Sequence, residues 1–310
     1  IEVNVTANRE NSSGVLKLNV PKNWSYSPKE IKLNAEQTNS KHFFTVTPPK
    51  ENSEAEITAE ISNLKDERFT KNTVTIDYAH IPKQTVLETA SFKAIRLNLK
   101  KANTTIGYLM GAGDDVGKQL ESLGYKVTYL NEEAVNIEQL SSFDAIILGI
   151  RAFNTNAYLA NKNKVLFDYV KQGGNLIVQY NTAHRLVTKK LAPYPLSLSR
   201  DRITDENAKV KLLNPKHAAM NYPNAITTAD FNGWVQEQGL YYPNKWDDAF
   251  TALLEANDPE EKPTQGALLI APYGKGNYVY TGLSFFRELP AGVPGAIKLL
   301  ANLIALPKNE

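Results

Sequence analysis

The alternation of hydrophobic and polar residues differs between the first hundred residues and the rest of the chain. Up to about residue 100, apolar and polar residues alternate with period two in short runs such as Val15–Val20, Ala55–Ile61 and Thr73–Tyr78. Each run can bury one face of a sheet, and Pro- and Asn-containing turns separate the runs. The stretch has room for about seven short strands. It therefore predicts an immunoglobulin-like β-sandwich without a disulfide over residues 1–100.

From Thr104 onward the pattern predicts strands and helices in alternation. The run Phe143–Ile150 is almost entirely apolar, as expected for a strand of a parallel sheet that is buried on both faces. Further strands are predicted at Thr105–Met110, Lys126–Leu130 and Asn175–Tyr180, and helices at Asp115–Leu123, Ile137–Leu140 and Asn156–Lys171. This alternation predicts an open parallel sheet with helices on both faces.

The pattern weakens and then returns toward the end of the chain. Residues 185–264 are rich in Pro and Asn and predict long loops with a few short elements. Two strands, Ala267–Ala271 and Asn277–Gly282, flank a predicted hairpin turn at residues 273–276, and a helix at Pro294–Leu306 follows. The change from period-two alternation to alternating strands and helices predicts a domain boundary at Leu99–Asn103. We expect residues 104–310 to form an α/β domain that folds alone.

Composition and charge exclude several classes of function. The chain has 310 residues, of which 42% are hydrophobic and 22% charged, and its formal net charge is +2. Residues 1–100 hold 14 basic and 12 acidic residues, and residues 101–310 hold 21 of each, so neither part has the basic excess that nucleic-acid binding needs. The absence of cysteine excludes disulfides, thiolate zinc sites and a cysteine nucleophile. No apolar run approaches the roughly 20 residues that span a bilayer.

The first residues indicate a fragment of a longer protein. The chain begins at Ile1 inside a strand-like run over positions 1–10 rather than at Met, and no signal peptide is present. We expect an excised piece from which any targeting segment has been removed. A chain without thiols survives in either redox environment, and we favour a periplasmic or secreted location.

Polar loops follow four of the predicted strands. In an open parallel sheet, ligands bind outside the carboxyl ends of the strands, where such loops converge. The loops are Gly111–Asp115, Arg151–Asn154, Asn181–Arg185 and Ser284–Glu288. The residues that we expect to contact a ligand there are Arg151, Asn181, His184, Arg185 and Arg287. Three arginines and a histidine favour an anionic group, such as a carboxylate or phosphate on a sugar.

Each of these residues also has a purely structural interpretation. Arg151 and Arg287 could instead pair with Asp114, Asp115 or Glu288, and a lone histidine is more often structural. The Gly111–Asp115 loop lacks the G-x-G-x-x-G spacing, and its two carboxylates suit a helix start better than a phosphate. A metal at the same place would need a third ligand that the sequence does not supply nearby.

An aromatic segment, Phe231–Trp246, adds a further candidate. It carries two of the three tryptophans together with Tyr241 and Tyr242. Aromatic side chains beside Asn and Gln suit sugar stacking or a protein partner, and equally suit a loop that forms its own small core. We take Trp234 as a candidate ligand-binding residue.

Several segments resemble a known family. They are Gly149–Asn154 (GIRAFN), Phe231–Tyr242 (FNGWVQEQGLYY), Tyr273–Tyr280 (YGKGNYVY) and Thr281–Gly295 (TGLSFFRELPAGVPG). They resemble the C-terminal region of large LmbE/PIG-L-type deacetylases of Bacteroidetes-like bacteria, and the resemblance covers residues 104–308. In that family a zinc deacetylase domain precedes a sandwich domain and a flavodoxin-like domain of the class I glutamine-amidotransferase type. More loosely, Val20–Pro28 resembles a P-x-x-W-x-x-x-P signature of bacterial sandwich domains found beside carbohydrate-active modules.

The same resemblance implies that this piece lacks the family's chemistry. The A-H-P-D-D-type metal motif is absent, and the nearest text, Ala79–Pro82, has no carboxylates. Alignment on Gly173-Gly174 places Tyr180 where the amidotransferase-like fold normally has its cysteine, and Thr281–Glu288 contains no histidine. Tyrosine is a poor substitute, because its pKa near 10 leaves little phenolate at neutral pH.

The resemblance therefore implies an accessory region without cofactor or metal. It would bind a carbohydrate or support the parent's own deacetylase domain, and we expect neither glutaminase nor deacetylase activity from it. Two alternatives stay open. One is a hydrolase or isomerase with His184 as base and Arg287 as electrostatic partner, and the other is a pure protein-interaction module.

Overall fold

The computed structural model describes residues 1–7, 12–34 and 38–309. The chain divides into two compact units, an N-terminal unit over Ile1–Asn98 and a C-terminal unit over Leu99–Glu310. In the described residues the N-terminal unit consists of strands and connecting turns, whereas the C-terminal unit combines strands with helices. The chain is therefore a multidomain protein with a β unit followed by an α/β unit.

The N-terminal unit contains eleven short strands in its described residues. They are β1 (Glu2–Thr6), β2 (Gly14–Asn19), β3 (Ser25–Ser27), β4 (Ile31–Leu33), β5 (Asn39–Phe43), β6 (Thr45–Thr47), β7 (Ser53–Ser62), β8 (Arg68–Phe69), β9 (Lys71–Ile76), β10 (Gln84–Thr89) and β11 (Ser91–Arg96). The strand predicted at the N-terminus is confirmed as β1, while positions 8–10 of that prediction lie outside the described residues.

Alternation along the central strands builds the core of this unit. In β2 the buried Leu16 and Leu18 alternate with the exposed Lys17 and Asn19, and the two leucines pack with Trp24, Phe44 and Ile57. The largest sheet has the order β11-β7-β2-β4 with β8 beside β7, and β1-β5, β3-β6 and β9-β10 form separate antiparallel pairs. The prediction that this unit consists of β-strands is confirmed, but it contains more strands than expected, and several form separate pairs.

The C-terminal unit is organised around one sheet of seven strands among the described residues. Its strands are β12 (Thr105–Leu109), β13 (Lys126–Tyr129), β14 (Ala145–Leu148), β15 (Asn175–Gln179), β19 (Thr251–Ala252), β21 (Leu268–Tyr273) and β22 (Gly276–Thr281). The sheet order is β13-β12-β14-β15-β22-β21-β19; the first five strands are parallel to one another, and β21 runs antiparallel to both β22 and β19. When the five parallel strands are numbered in chain order, their order across the sheet is 2-1-3-4-5, as in flavodoxin-like sheets.

Helices and small strand pairs complete the C-terminal unit. The helices are α1 (Val116–Ser122), α2 (Ile137–Leu140), α3 (Ala152–Thr155), α4 (Leu159–Lys171), α5 (Ala218–Asn221), α6 (Phe285–Glu288) and α7 (Pro294–Ile304), with a 3₁₀ turn at Thr228–Phe231. The remaining strands are β16 (Leu196–Ile203), β17 (Lys211–Leu212), β18 (Gly239–Trp246) and β20 (Leu254–Glu255), paired as β16-β18 and β17-β20. Both α4 and α7 pack against β15, which is buried along its whole length, as a parallel strand requires.

Two predictions for this unit need correction. The helix expected to begin at Asn156 is preceded by a separate turn, α3, because Arg151 adopts a left-handed conformation and starts a helical turn directly after β14. Residues 185–264 are also more regular than predicted, since β16 and β18 are eight residues each and pair antiparallel. Their register shifts at several points, which explains why no simple alternation marks them in the sequence.

Candidate functional site

The crevice between β12 and β14, where the strand order reverses, is filled by the protein's own loops. The Ala112 N–H donates to the Ile150 carbonyl at 2.8 Å. A Cβ atom on Gly111 would lie 2.1 Å from that same carbonyl oxygen, so this close approach needs glycine. The usual ligand position of such a sheet is therefore occupied by backbone, and the arginines and the histidine expected at the site follow β14, β15 and β22 instead.

Asp114 holds this closed crevice together. Its carboxylate accepts hydrogen bonds from the Tyr108 hydroxyl at 2.5 Å, from the Val116 N–H at 3.0 Å and from the Ile150 N–H at 3.1 Å. Burial and the adjacent carboxylate raise the pKa of Tyr108 well above its ordinary value, so the phenol keeps its proton. Asp115 is exposed and pairs with Lys118 at 2.8 Å. Neither carboxylate pairs with an arginine of the predicted site, which corrects one structural interpretation given above.

Arg151 lies directly after β14. Its φ of 57° belongs to the left-handed region, which is uncommon for a residue with a side chain, and its N–H donates to the Tyr180 carbonyl at 2.7 Å. The side chain is half-buried, and its buried Nε has no hydrogen-bond partner among the described residues. Nor does the guanidinium form an ion pair with any carboxylate in that part of the chain. A buried guanidinium nitrogen without a partner is a costly arrangement for a folded chain.

Tyr180, directly after β15, lies at the centre of an aromatic group. Its ring stacks on Tyr241 with centroids 6.1 Å apart and an interplanar angle of 10°, and it contacts Phe286 at 5.4 Å. The exposed ring of His184 meets Tyr241 edge-on at 6.5 Å. Burial raises the pKa of the Tyr180 hydroxyl, and the charges of Arg151 and Arg287 only partly oppose this rise. The Tyr180 side chain is therefore a neutral phenol at pH 7.

Arg287, in α6 after β22, completes the group. Its guanidinium lies over the Phe286 ring at 4.8 Å, donates to the Gln236 side-chain oxygen and pairs with Glu237 at 3.1 Å. Glu237 also pairs with Arg202 at 3.2 Å. The carboxylate that neutralises Arg287 is thus Glu237, rather than Asp114, Asp115 or Glu288. We call these six residues the carboxyl-edge cluster: Arg151, Tyr180, His184, Tyr241, Phe286 and Arg287.

Glu288 is fully buried behind the carboxyl-edge cluster. It accepts a hydrogen bond from the Val235 N–H at 3.0 Å, and its other oxygen lies 3.2 Å from the Ser284 Oγ. Burial outweighs these contacts and raises the pKa of Glu288 to about 7. The Ser284 hydroxyl also lies 2.5 Å from the Glu237 carbonyl, and its single proton serves that carbonyl when a protonated Glu288 donates to Ser284.

The other predicted ligand-binding residues have different positions. Asn181 is buried, accepts from the Phe153 N–H at 2.8 Å and donates to the Gln179 carbonyl at 2.9 Å, so it holds α3 and the β15 loop together. Arg185 is exposed, with a left-handed φ of 57°. Trp234 is 3% exposed, stacks on Phe231 and donates its N–H to the Asp230 carbonyl. Trp234 therefore belongs to a local core, and no sugar can stack on it.

Three residues of this region, Tyr241, Phe286 and Glu237, are not among the individual ligand-binding residues that the sequence predicts, although Tyr241 belongs to the candidate aromatic segment. Phe286 was within a loop already selected, and its aromatic character beside Arg287 was an available signal. Tyr241 carries a left-handed φ of 52° inside β18, and Gln236 next to Glu237 has a φ of 67°. Together with Arg151 and Arg185, four non-glycine residues here occupy a region of backbone conformation that concentrates at functional sites.

Neither a metal-binding cluster nor a membrane-spanning helix is found in the described part of the chain. Among residues 1–7, 12–34 and 38–309, no three His, Asp or Glu side chains are grouped closely enough to hold a metal ion. In the same residues, no helix is both long and apolar enough to cross a membrane.

Comparisons with known proteins give only distant structural similarity. No protein-family model matches the chain, and no curated protein sequence matches it. The chain is similar to a ThuA-like protein from Bacteroides uniformis, at 14% identity and a TM-score of 0.40 over 67% of this chain and 92% of that chain. It is similar to a GMP synthase component from Thermoplasma acidophilum, at 10% identity and a TM-score of 0.41 over 66% and 96% of the two chains.

A third similar structure is a much larger enzyme. It is a β-galactosidase from Rahnella sp. R3, at 15% identity and a TM-score of 0.39 over 65% of this chain. The chain spans 31% of the length of that enzyme. All three TM-scores lie below 0.5, so these similarities carry no argument about function.

Proposed function

We propose that the chain is a non-catalytic binding region of a bacterial LmbE/PIG-L-type sugar deacetylase. It would consist of an immunoglobulin-like sandwich and a class I glutamine-amidotransferase-like domain without a catalytic cysteine. The support comes from the segments that resemble this family. Gly149–Asn154 supplies Arg151, Phe231–Tyr242 supplies Glu237 and Tyr241, and Thr281–Gly295 supplies Phe286 and Arg287. Segments far apart in the sequence thus contribute to one cluster.

The chemistry of the cluster supports binding rather than catalysis. Tyr180, which aligns with the family's nucleophile, keeps its proton at pH 7 because burial raises its pKa. The His184 ring is exposed, and neither of its nitrogens has a hydrogen-bond partner in the described chain that would orient it as a base. The geometry therefore favours a binding region over the alternative of a hydrolase with His184 as base.

The observation that carries the proposal is the unpartnered guanidinium of Arg151. Both arginines have a buried Nε without an acceptor, but Arg287 is neutralised by Glu237, whereas Arg151 forms no ion pair in the described residues. An anionic group on a ligand would supply that acceptor. The half-buried rings of Tyr241 and Phe286 beside it offer apolar surface for the body of a sugar. The proposed ligand is thus a carbohydrate that carries a carboxylate or phosphate.

The test uses thermal unfolding of the full chain with D-glucuronate, glucose 6-phosphate and uncharged glucose. We expect at least one anionic sugar to raise the melting temperature, with glucose much weaker. Arg151→Ala is expected to weaken this effect about tenfold in apparent affinity, since one charge-assisted hydrogen bond contributes about 1.5 kcal/mol or more. Arg200→Ala, which removes an exposed arginine of β16 outside the cluster, is the matched control and should leave binding unchanged.

Two results would contradict the proposal. One is the absence of any stabilisation by either anion, which would favour a protein-interaction module. The other is equal stabilisation of the Arg151→Ala variant, which would place the anion elsewhere. Release of acetate from N-acetylglucosamine, or of ammonia from glutamine, by the purified chain would show catalysis instead.

A further inference from the structure

A second open surface lies beside the β16-β18 pair. It is a cleft of about 550 Å³, bordered by the two strands and by the segment 261–265. This volume is within the range of small-ligand sites, roughly 300–1,000 Å³. Trp246, at the end of β18, lines the cleft. The cleft shares no lining residue with the carboxyl-edge cluster.

The state of Trp246 differs from that of the other two tryptophans. Trp24 and Trp234 are buried, and their indole N–H groups donate at 3.0 Å to Ser53 Oγ and to the Asp230 carbonyl. Trp246 is half-exposed and packs against the core on one side. In the described chain its indole N–H has no hydrogen-bond partner and its ring is in no aromatic or cation–π contact, although Arg202 and Lys262 also line the cleft. The part of the indole facing the cleft is therefore free to contact a ligand.

Three polar side chains that line the cleft together with Trp246 also lack partners among the described residues. Asp201, Asn244 and Glu261 line the cleft and are exposed. Their side chains form no hydrogen bond or ion pair with any other described residue. The register of β16 against β18 shifts on both sides of Asp201. Bulges of this kind redirect side chains and are common beside functional sites.

The charge of the cleft indicates the class of ligand. Two acidic residues, Asp201 and Glu261, and two basic residues, Arg202 and Lys262, line the cleft, and the guanidinium of Arg202 pairs with Glu237 at 3.2 Å. The lining thus has no excess of positive charge to attract an anion. Free carboxylate and amide oxygens accept hydrogen bonds from hydroxyl groups, and an indole face packs against the C–H face of a sugar ring.

We propose that this cleft binds a neutral oligosaccharide, with one sugar ring stacked on Trp246 and its hydroxyls bonded to Asp201, Asn244 and Glu261. The site is additional to the anionic-sugar site proposed at the carboxyl-edge cluster. It does not depend on that site, because the two surfaces have different residues and favour ligands of different charge.

Intrinsic fluorescence of the full chain tests the proposal, because Trp246 is the exposed member of the three tryptophans. The probes are cellotetraose, mannotetraose and tetra-N-acetylchitotetraose. At least one is expected to change the tryptophan emission in a saturable way, and Trp246→Phe should abolish that change. Isothermal titration calorimetry should show binding to Asp201→Asn weakened about fivefold, as expected for one hydrogen bond of about 1 kcal/mol. Asp248→Asn, an exposed acid outside the cleft, is the matched control.

The possible outcomes separate the two sites. Binding that is lost in Trp246→Phe and weakened in Asp201→Asn, but unchanged in Asp248→Asn and Arg151→Ala, supports the cleft. Absence of calorimetric binding by all three probes overturns the proposal, and so does binding that Arg151→Ala removes while Trp246→Phe retains it. Because Trp246 also contacts the core, the exposed Asp201→Asn variant keeps the test valid if Trp246→Phe unfolds.

Discussion

The carboxyl edge of the parallel sheet contains two regions that use polar groups in opposite ways. Between β12 and β14, the Asp114 carboxylate accepts three internal hydrogen bonds and closes the crevice. Beyond β14, Arg151 and Arg287 each keep a buried Nε without a partner among the described residues. The carboxylate of Asp114 is therefore satisfied within the fold, whereas the two arginines beyond β14 each keep a nitrogen that is not. A ligand that supplied the missing hydrogen-bond acceptors would therefore bind most favourably beside these two arginines.

The largest effect on stability is expected from substitution of Asp114, which closes the crevice between β12 and β14. Asp114→Ala leaves the buried Tyr108 hydroxyl and two backbone N–H groups without their acceptor. We expect a loss of about 3 kcal/mol in the free energy of unfolding, measured by urea denaturation. The control is Asp115→Ala, which removes only an exposed, solvent-screened pair with Lys118 and should leave the free energy of unfolding nearly unchanged. Equal effects of the two substitutions would show that the crevice is not held by Asp114.

The next effect concerns Glu288 and pH. Its pKa is about 7 in the folded chain against an ordinary value of 4.5, so between these values the folded state binds more protons than the unfolded state. The contribution of Glu288 to the free energy of unfolding is therefore largest below pH 4.5. It falls by up to about 3 kcal/mol as the pH rises to 7, and it does not change further above pH 7. In Glu288→Gln this component is absent. The difference between variant and parent in denaturant unfolding from pH 4.5 to 8 should follow that curve, and a flat difference would contradict the raised pKa.

A smaller effect separates the two arginines beyond β14. Arg287→Ala removes a partner from Glu237, which is 12% exposed and keeps Arg202, and should cost about 1–2 kcal/mol of unfolding free energy. Arg151→Ala removes no ion pair and should cost less than about 1 kcal/mol. Thermal unfolding of both variants measures the contrast. A larger loss for Arg151→Ala would mean that its side chain is structural, and would weaken the case for ligand binding there.

The smallest effect is expected from removing the N-terminal unit. The C-terminal unit has its own buried cluster around Ile146, Val178 and Tyr278, and the N-terminal unit has another around Leu16 and Ile57. A chain beginning at Leu99 should therefore fold with a melting temperature close to that of the full chain. Circular dichroism checks this expectation, and an unfolded spectrum for the shortened chain would refute it.

Sequence reasoning located the sheet well because buried parallel strands leave a strong local signal. The apolar run around β14 and the strand before Tyr180 needed no tertiary information. The partners of the site residues depended on contacts between distant positions. Glu237 lies 50 residues from Arg287 in the sequence, and nothing near either residue marks the pair. For the same reason Trp234 was taken for a binding residue, since a tryptophan in a core and one on a surface have the same sequence context.

Glu237 has a consequence that concerns both proposed sites at once. Its carboxylate joins Arg202, which borders the cleft, to Arg287, which belongs to the carboxyl-edge cluster. Loss of either arginine would therefore change the pairing of the other. One shared carboxylate thus fixes the positions of two arginines that lie on different elements, β16 and α6.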